Sequence, residues 1–216
     1  MSWTIKSLSA EYAAEFTGLR TAMIRHRPEI CPFEVILDRI PKGASHLDVG
    51  CGSGFLLFAS SRLRSSGRLA GVEADALLIE QARKALLSLV PSTHPELVAT
   101  TDSSQWPSGQ FDVVTLIDVL HHVPPHSQLE FLTDVASRVA PGGILIYKDI
   151  ADRPSRYALA NRVHDLLVAR EWINYVPIDT VIRKLESAGL EPEPPTYRLT
   201  WWYLHEFTVA RKAPLM

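Results

Sequence analysis

Cysteine is nearly absent: the 216 residues contain only Cys31 and Cys51, which excludes a disulfide framework and fits a reducing compartment. Long apolar runs are missing as well. No stretch reaches the roughly 18 consecutive apolar residues of a membrane span. Met1 to Ala10 lacks the apolar block of a secretory leader, so a cytoplasmic protein without a membrane span is expected. Neither sign of charge dominates. Lys and Arg number 22 against 24 Asp and Glu, a net charge of −2, and no nucleic-acid partner is favoured. There are no repeats and no low-complexity segments, which excludes solenoids and disordered linkers.

What remains is an ordinary globular composition, 46% hydrophobic and 21% charged, over a length that suits one domain with a buried core. The fifteen prolines fall mostly at element boundaries. Residues 9 to 40 carry apolar residues at helical spacing, broken near Pro28 and Pro32, and read as a helical flank. Strands are expected at His46 to Val49, Leu69 to Glu73, Leu97 to Thr101, Phe111 to Ile117 and Ile144 to Ile150. Helices near 55–63, 75–89 and 127–139 separate them, and the last strand follows a turn at Pro141-Gly142-Gly143. This alternation makes a doubly wound α/β fold with a parallel sheet and helices on both faces. The tail differs, with helices at 155–171 and 179–188 and extended segments at 196–201 and 203–211. The expected organisation is a single domain, 1–216: a flank at 1–42, a cofactor-binding core at 43–150, and substrate-side helices with a C-terminal hairpin at 151–216.

The most informative stretch is Asp48-Val49-Gly50-Cys51-Gly52-Ser53-Gly54, where an apolar strand runs into a glycine turn that opens a helix. Gly50, Gly52 and Gly54 permit positive φ and close approach of a ligand to the main chain. The helix beyond turns its free N–H groups toward that ligand. Nineteen residues after Gly54, one helix and one strand further on, Glu73 ends the second strand, where a carboxylate can accept both hydroxyls of a ribose.

This pairing resembles the class I S-adenosylmethionine-dependent methyltransferases, whose first motif reads acidic-x-Gly-x-Gly-x-Gly with an acidic residue closing the second strand. Dinucleotide enzymes place a third glycine where this chain has Phe55. The resemblance implies a seven-stranded, mostly parallel sheet with an antiparallel last strand. It also implies S-adenosyl-L-methionine as cofactor, with S-adenosyl-L-homocysteine as product. The cofactor contacts it implies are Asp48, Gly50, Cys51, Gly52, Gly54, Glu73, Ala74, Asp102, Ser103 and Asp118. Of these, Asp102 and Ser103 would meet the adenine and Asp118 the methionyl part.

Leu116 to Pro124 looks like the family's fourth motif in its small-molecule branches, and it carries His121 and His122. Adjacent histidines in a turn point apart and make a poor metal pair, so no metal site is expected. Histidine titrates near neutrality and suits a general base, with Asp149 and His164 as reserves. Lys148 and Asp149 end the fifth strand, where they either serve a substrate or form an ion pair with each other on the rim. Tyr157, Asn161, His164 and Val168 share one helix face suited to substrate recognition. Trp172, Tyr175, Trp201, Trp202 and Tyr203 suit either a pocket wall or core packing. Tyr12 and Arg20 are candidates to close over the cofactor, whereas Arg25 and Arg27 read as a solvated face.

The Asn/Asp-Pro-Pro-Tyr sequence of amino-methylating DNA enzymes is absent. The expected reaction is therefore O- or C-methylation of a lipid, quinone-like or secondary metabolite by a monomer or homodimer. A non-catalytic protein of the same fold and an NAD-dependent oxidoreductase are the alternatives.

Overall fold

A computed structural model describes residues 4–151, 174–200 and 203–215, and the helix expected at 155–171 lies outside them. The chain packs as two compact units, Met1–Thr115 and Leu116–Met216, with the division inside one strand.

The first unit opens with helices α1 (Ile5–Ala13), α2 (Leu19–Ile30) and α3 (Phe33–Arg39). Then β1 (His46–Val49), α4 (Phe55–Arg64), β2 (Leu69–Glu73), α5 (Ala76–Leu89) and β3 (Glu96–Ala99) alternate before β4 (Phe111–Ile117), which crosses into the second unit. β1 pairs parallel with β2, and β2 with β3. β1 is buried along its whole length, as a strand covered on both faces must be. α5 starts where the Asp75 carboxylate accepts from the Leu77 N–H at 2.8 Å, and it buries Ile79, Ala82, Ala85 and Leu86 along one stripe. Pro28 does not break α2 as the sequence suggests. It forfeits one N–H near the helix end, and the last turn closes through the Cys31 N–H on the Arg27 carbonyl at 2.8 Å.

The second unit holds α6 (Gln128–Ser137), β5 (Val139–Ile150), α7 (Ile178–Ser187), β6 (Leu190–Pro192), β7 (Thr196–Thr200) and β8 (Tyr203–Lys212). The expected turn at 141–143 lies within β5: Pro141 and Gly142 are exposed, Gly142 has φ +78°, and pairing with β8 begins after it at Ile144.

The strands run in the order β3-β2-β1-β4-β5-β8-β6, with β7 also on β8. β8 is antiparallel to β5, as expected of the last strand. Among the described residues the sheet has eight strands, because the segment alongside β8 comes in two pieces. β6 pairs with residues 210–212 and β7 with residues 203–207. Between them Glu193 still donates its N–H to Val209 at 2.8 Å, but Pro194 and Pro195 have none to give.

Candidate active site

In the first unit the turn after β1 is built on main-chain bonds. Gly50 and Cys51 both donate to the Val72 carbonyl, at 2.7 and 2.9 Å, which fastens the turn to β2. Gly50, Gly52 and Gly54 have φ of +76°, +53° and +85°, so all three need the left-handed freedom that glycine has. A side chain at Gly54 would come within 2.9 Å of the Tyr12 hydroxyl and 3.0 Å of Ala82. At Gly52 a Cβ would meet nothing within 4 Å, so the main chain there is open to a ligand.

The Glu73 carboxylate ties this turn to the start of α5. It accepts from the Gly52 N–H at 3.0 Å, from Ala74 at 2.8 Å and from Asp75 at 3.1 Å. Tyr12 reaches the turn from α1 and donates to the Ser53 carbonyl at 2.7 Å. Burial raises the Tyr12 pKa, with help from Cys51 and Glu15, so the phenol stays a neutral donor. Arg20 instead donates to Gln81 on α5.

Asp48 is buried on β1 beneath the turn and accepts from the Thr115 hydroxyl at 2.6 Å. Burial pushes its pKa up to about 7; the Thr115 bond and Arg27 oppose that rise, and Glu73 adds to it. Asp102 is exposed and caps a short turn, accepting from the Ser104 N–H at 2.9 Å and from Gln105 at 3.1 Å. The Ser104 and Gln105 bonds hold its pKa below the usual carboxylate value. Ser103 begins that turn.

In the second unit Asp118 follows the end of β4, and its φ of +56° is a left-handed conformation in a residue with a side chain. Its N–H donates to the Lys148 carbonyl at 2.9 Å, and its carboxylate accepts from Lys148 Nζ. Next in the sequence is a single 3₁₀ turn, Leu120–His122. Gln128 on α6 holds it by donating to the Leu120 carbonyl at 3.1 Å.

His121 is buried on this turn, with Nδ1 2.5 Å from Asp149 Oδ1, and Asp149 is buried too. Burial lowers the His121 pKa, but the charge and hydrogen bond of Asp149, together with Asp118, outweigh burial and Lys148, leaving it above the ordinary value. His122 is exposed, its ring centroid 4.1 Å from that of His121, and the Tyr175 ring centroid is 5.6 Å from that of His121. The two histidines that the sequence left equivalent are therefore different.

The rim ion pair between Lys148 and Asp149 does not form. Neighbours on a strand point to opposite faces, and each of these buried residues has found its own partner. His164 lies outside the described residues, as do Tyr157, Asn161, Val168, Trp172, Trp201 and Trp202. Sequence reasoning missed Thr115; its only signal is a hydroxyl in the otherwise apolar second half of Phe111–Ile117.

The sequence profile of the family described as "Methyltransferase domain" matches residues 23–194. The chain belongs to that methyltransferase family. Among curated relatives, a ubiquinone biosynthesis O-methyltransferase from Thiobacillus denitrificans is 28% identical over 157 residues, covering 70% of this chain and 66% of the relative. A mitochondrial ubiquinone biosynthesis O-methyltransferase from Schizosaccharomyces pombe is 35% identical over 140 residues, 64% of this chain and 47% of its own length. The chain thus spans about half to two-thirds of these relatives. Among solved structures, magnesium protoporphyrin IX methyltransferase from Synechocystis PCC 6803, with bound S-adenosyl-L-homocysteine, superposes with a TM-score of 0.70 at 18% identity. That match covers 92% of this chain and 89% of the other, so this methyltransferase-family chain shares its fold. Among the described residues no helix is long and apolar enough to cross a membrane, and no group of three His, Cys, Asp or Glu is placed to hold a metal ion.

Proposed function

We propose that this chain is an S-adenosyl-L-methionine-dependent methyltransferase that methylates an oxygen of a small phenolic or quinol-like acceptor. The residues of the first unit fit the cofactor. The main chain at Gly52 is open, and Glu73 is held at the tip of β2 by three main-chain donors, where its remaining lone pair, on Oε2, can accept from a ribose hydroxyl. When bound, the cofactor supplies a methyl group already activated by its sulfonium. Little chemistry is left for the protein beyond placing the acceptor, excluding water and removing one proton.

The buried His121–Asp149 pair carries the reading. Asp149 accepts from Nδ1–H, which fixes the tautomer and leaves Nε2 as the basic nitrogen. A hydroxyl acceptor gives its proton to Nε2 as its oxygen becomes nucleophilic, and the imidazolium that forms is stabilised by the Asp149 carboxylate. The quinol-like acceptor is supported by the ubiquinone O-methyltransferase relatives. The same relatives support a small-molecule acceptor, and the cytoplasmic location we propose rests on the composition alone.

Calorimetric titration with S-adenosyl-L-homocysteine, followed by turnover of a panel of phenols, catechols and hydroquinones, tests this. Glu73→Ala is expected to weaken binding by tenfold or more, as loss of roughly 1.5–3 kcal/mol of charge-assisted bonding implies. Unchanged affinity in that variant overturns the cofactor assignment. Undiminished turnover in His121→Gln overturns the base.

A further inference from the structure

Beneath the glycine turn the first unit contains a line of buried polar groups that the proposed mechanism does not use. Ser66 Oγ lies 2.6 Å from Ser60 Oγ, and Ser60 Oγ lies 3.2 Å from His46 Nδ1. His46 Nε2 lies 2.9 Å from Thr115 Oγ1, which bonds to Asp48 Oδ1 at 2.6 Å. Every member is buried. The groups come from β1, α4, the loop after α4 and β4, so the line is made by the tertiary fold.

Its direction follows from counting donors. Ionised Asp48 can only accept, so Thr115 must give it the hydroxyl hydrogen. Thr115 then accepts from His46, which must carry its proton on Nε2. Nδ1 in turn accepts from Ser60, and Ser60 from Ser66. Among the described residues the other acceptor within reach of Thr115 is the Leu47 carbonyl, 3.5 Å away and much the weaker. Burial drives the His46 pKa down to about 3, so the ring is neutral across the working pH range and has one N–H to place.

We infer that His46 and Thr115 are positioning residues that hold the buried Asp48 carboxylate in its ionised form, ready for the cationic end of the cofactor. Asp48 has no partner on β2, since Gly71, opposite it in register, has no side chain. The charged and titratable groups that act on it are Arg27 of α2 and Glu73 of β2, with the Cys51 thiol in the turn above. Arg27 favours ionisation and Glu73 opposes it. The Thr115 hydroxyl is the one hydrogen-bond donor among the groups that tune it. When Asp48 takes up a proton on Oδ1, the oxygen bonded to Thr115, its own O–H becomes the donor and the line reverses. Thr115 then gives its hydrogen to Nε2, and the single imidazole N–H sits on Nδ1. His46 therefore reports the charge of Asp48 through its tautomer.

This inference rests on the methyltransferase reading, with Asp48 meeting the cofactor as the family resemblance implies, and two readouts separate the ideas. The first is ¹⁵N NMR of the histidine rings in the unaltered protein, with His46 assigned by its loss in His46→Gln. The Nε2–H tautomer is expected at pH 8, giving way to Nδ1–H as pH falls below about 7. An Nδ1–H ring at pH 8 overturns the inference whatever the protein binds. The second readout is S-adenosyl-L-homocysteine affinity against pH. Thr115→Val removes the donor at constant shape, so the midpoint should rise by about one pH unit and affinity at pH 7 should fall roughly fivefold. Thr115→Ser restores the donor and should restore both. A Thr115→Val protein that binds like the unaltered one at every pH overturns the inference and leaves the methyltransferase assignment standing. If the unaltered protein binds no adenosyl ligand, the functional reading fails instead, and the tautomer alone decides the direction of the line.

Discussion

At the scale of single residues, His121 and Asp149 carry the clearest consequence of burial. The His121 pKa lies above its ordinary value because Asp149 outweighs burial. Only the neutral ring can take a proton, so kcat/KM should rise with pH through a midpoint above the ordinary histidine value of about 6.5. In Asp149→Asn the raising charge is gone and burial dominates, which should move that midpoint below about 6.5. The same change loosens the tautomer and should cut kcat by roughly a hundredfold. A pH–rate series on both proteins checks the direction of the shift. The histidines themselves could be read from the sequence, but their difference could not. It depends on a contact between positions 121 and 149 that no local pattern encodes. The same holds for His46 and Thr115, 69 positions apart.

At the scale of elements, the strands and helices around the glycine turn were legible because periodicity and turn chemistry agreed there. β1, β2 and β4 keep the bounds expected from their apolar runs, and Asp75 caps α5 as a side-chain acceptor should. Less legible was the split of the segment beside β8, because the prolines that cause it look like ordinary loop punctuation. Gly71 is an element-level constraint hidden inside β2. A Cβ there would lie 2.8 Å from Cys51 Sγ and 2.9 Å from both Leu57 and Leu97, so α4, β3 and the turn all pack against its bare backbone. Gly71→Ala should therefore destabilise the fold by about 1–3 kcal/mol, although alanine is ordinarily the better residue in a strand. Guanidinium unfolding checks this, with a lower midpoint and an unchanged slope expected.

At the scale of the whole molecule, a ligand that binds only the folded chain adds to its stability by mass action. S-adenosyl-L-homocysteine at a hundred times its Kd should contribute about 2.7 kcal/mol and raise Tm by roughly 5–10 °C. NAD at the same concentration should leave Tm unchanged, since Phe55 replaces the glycine its fold needs. Differential scanning fluorimetry with both ligands separates the cofactor classes without knowledge of the acceptor. Another molecular property follows from Pro192, Pro194 and Pro195, three prolines in four residues beside β8. Strangers that add themselves to a sheet need a row of amide hydrogens to grip, and here Pro192 and Pro194, either side of the Glu193 N–H that points to β8, leave gaps in that row. That border should thus resist templated strand addition at concentrations where an uninterrupted one of this length would invite it.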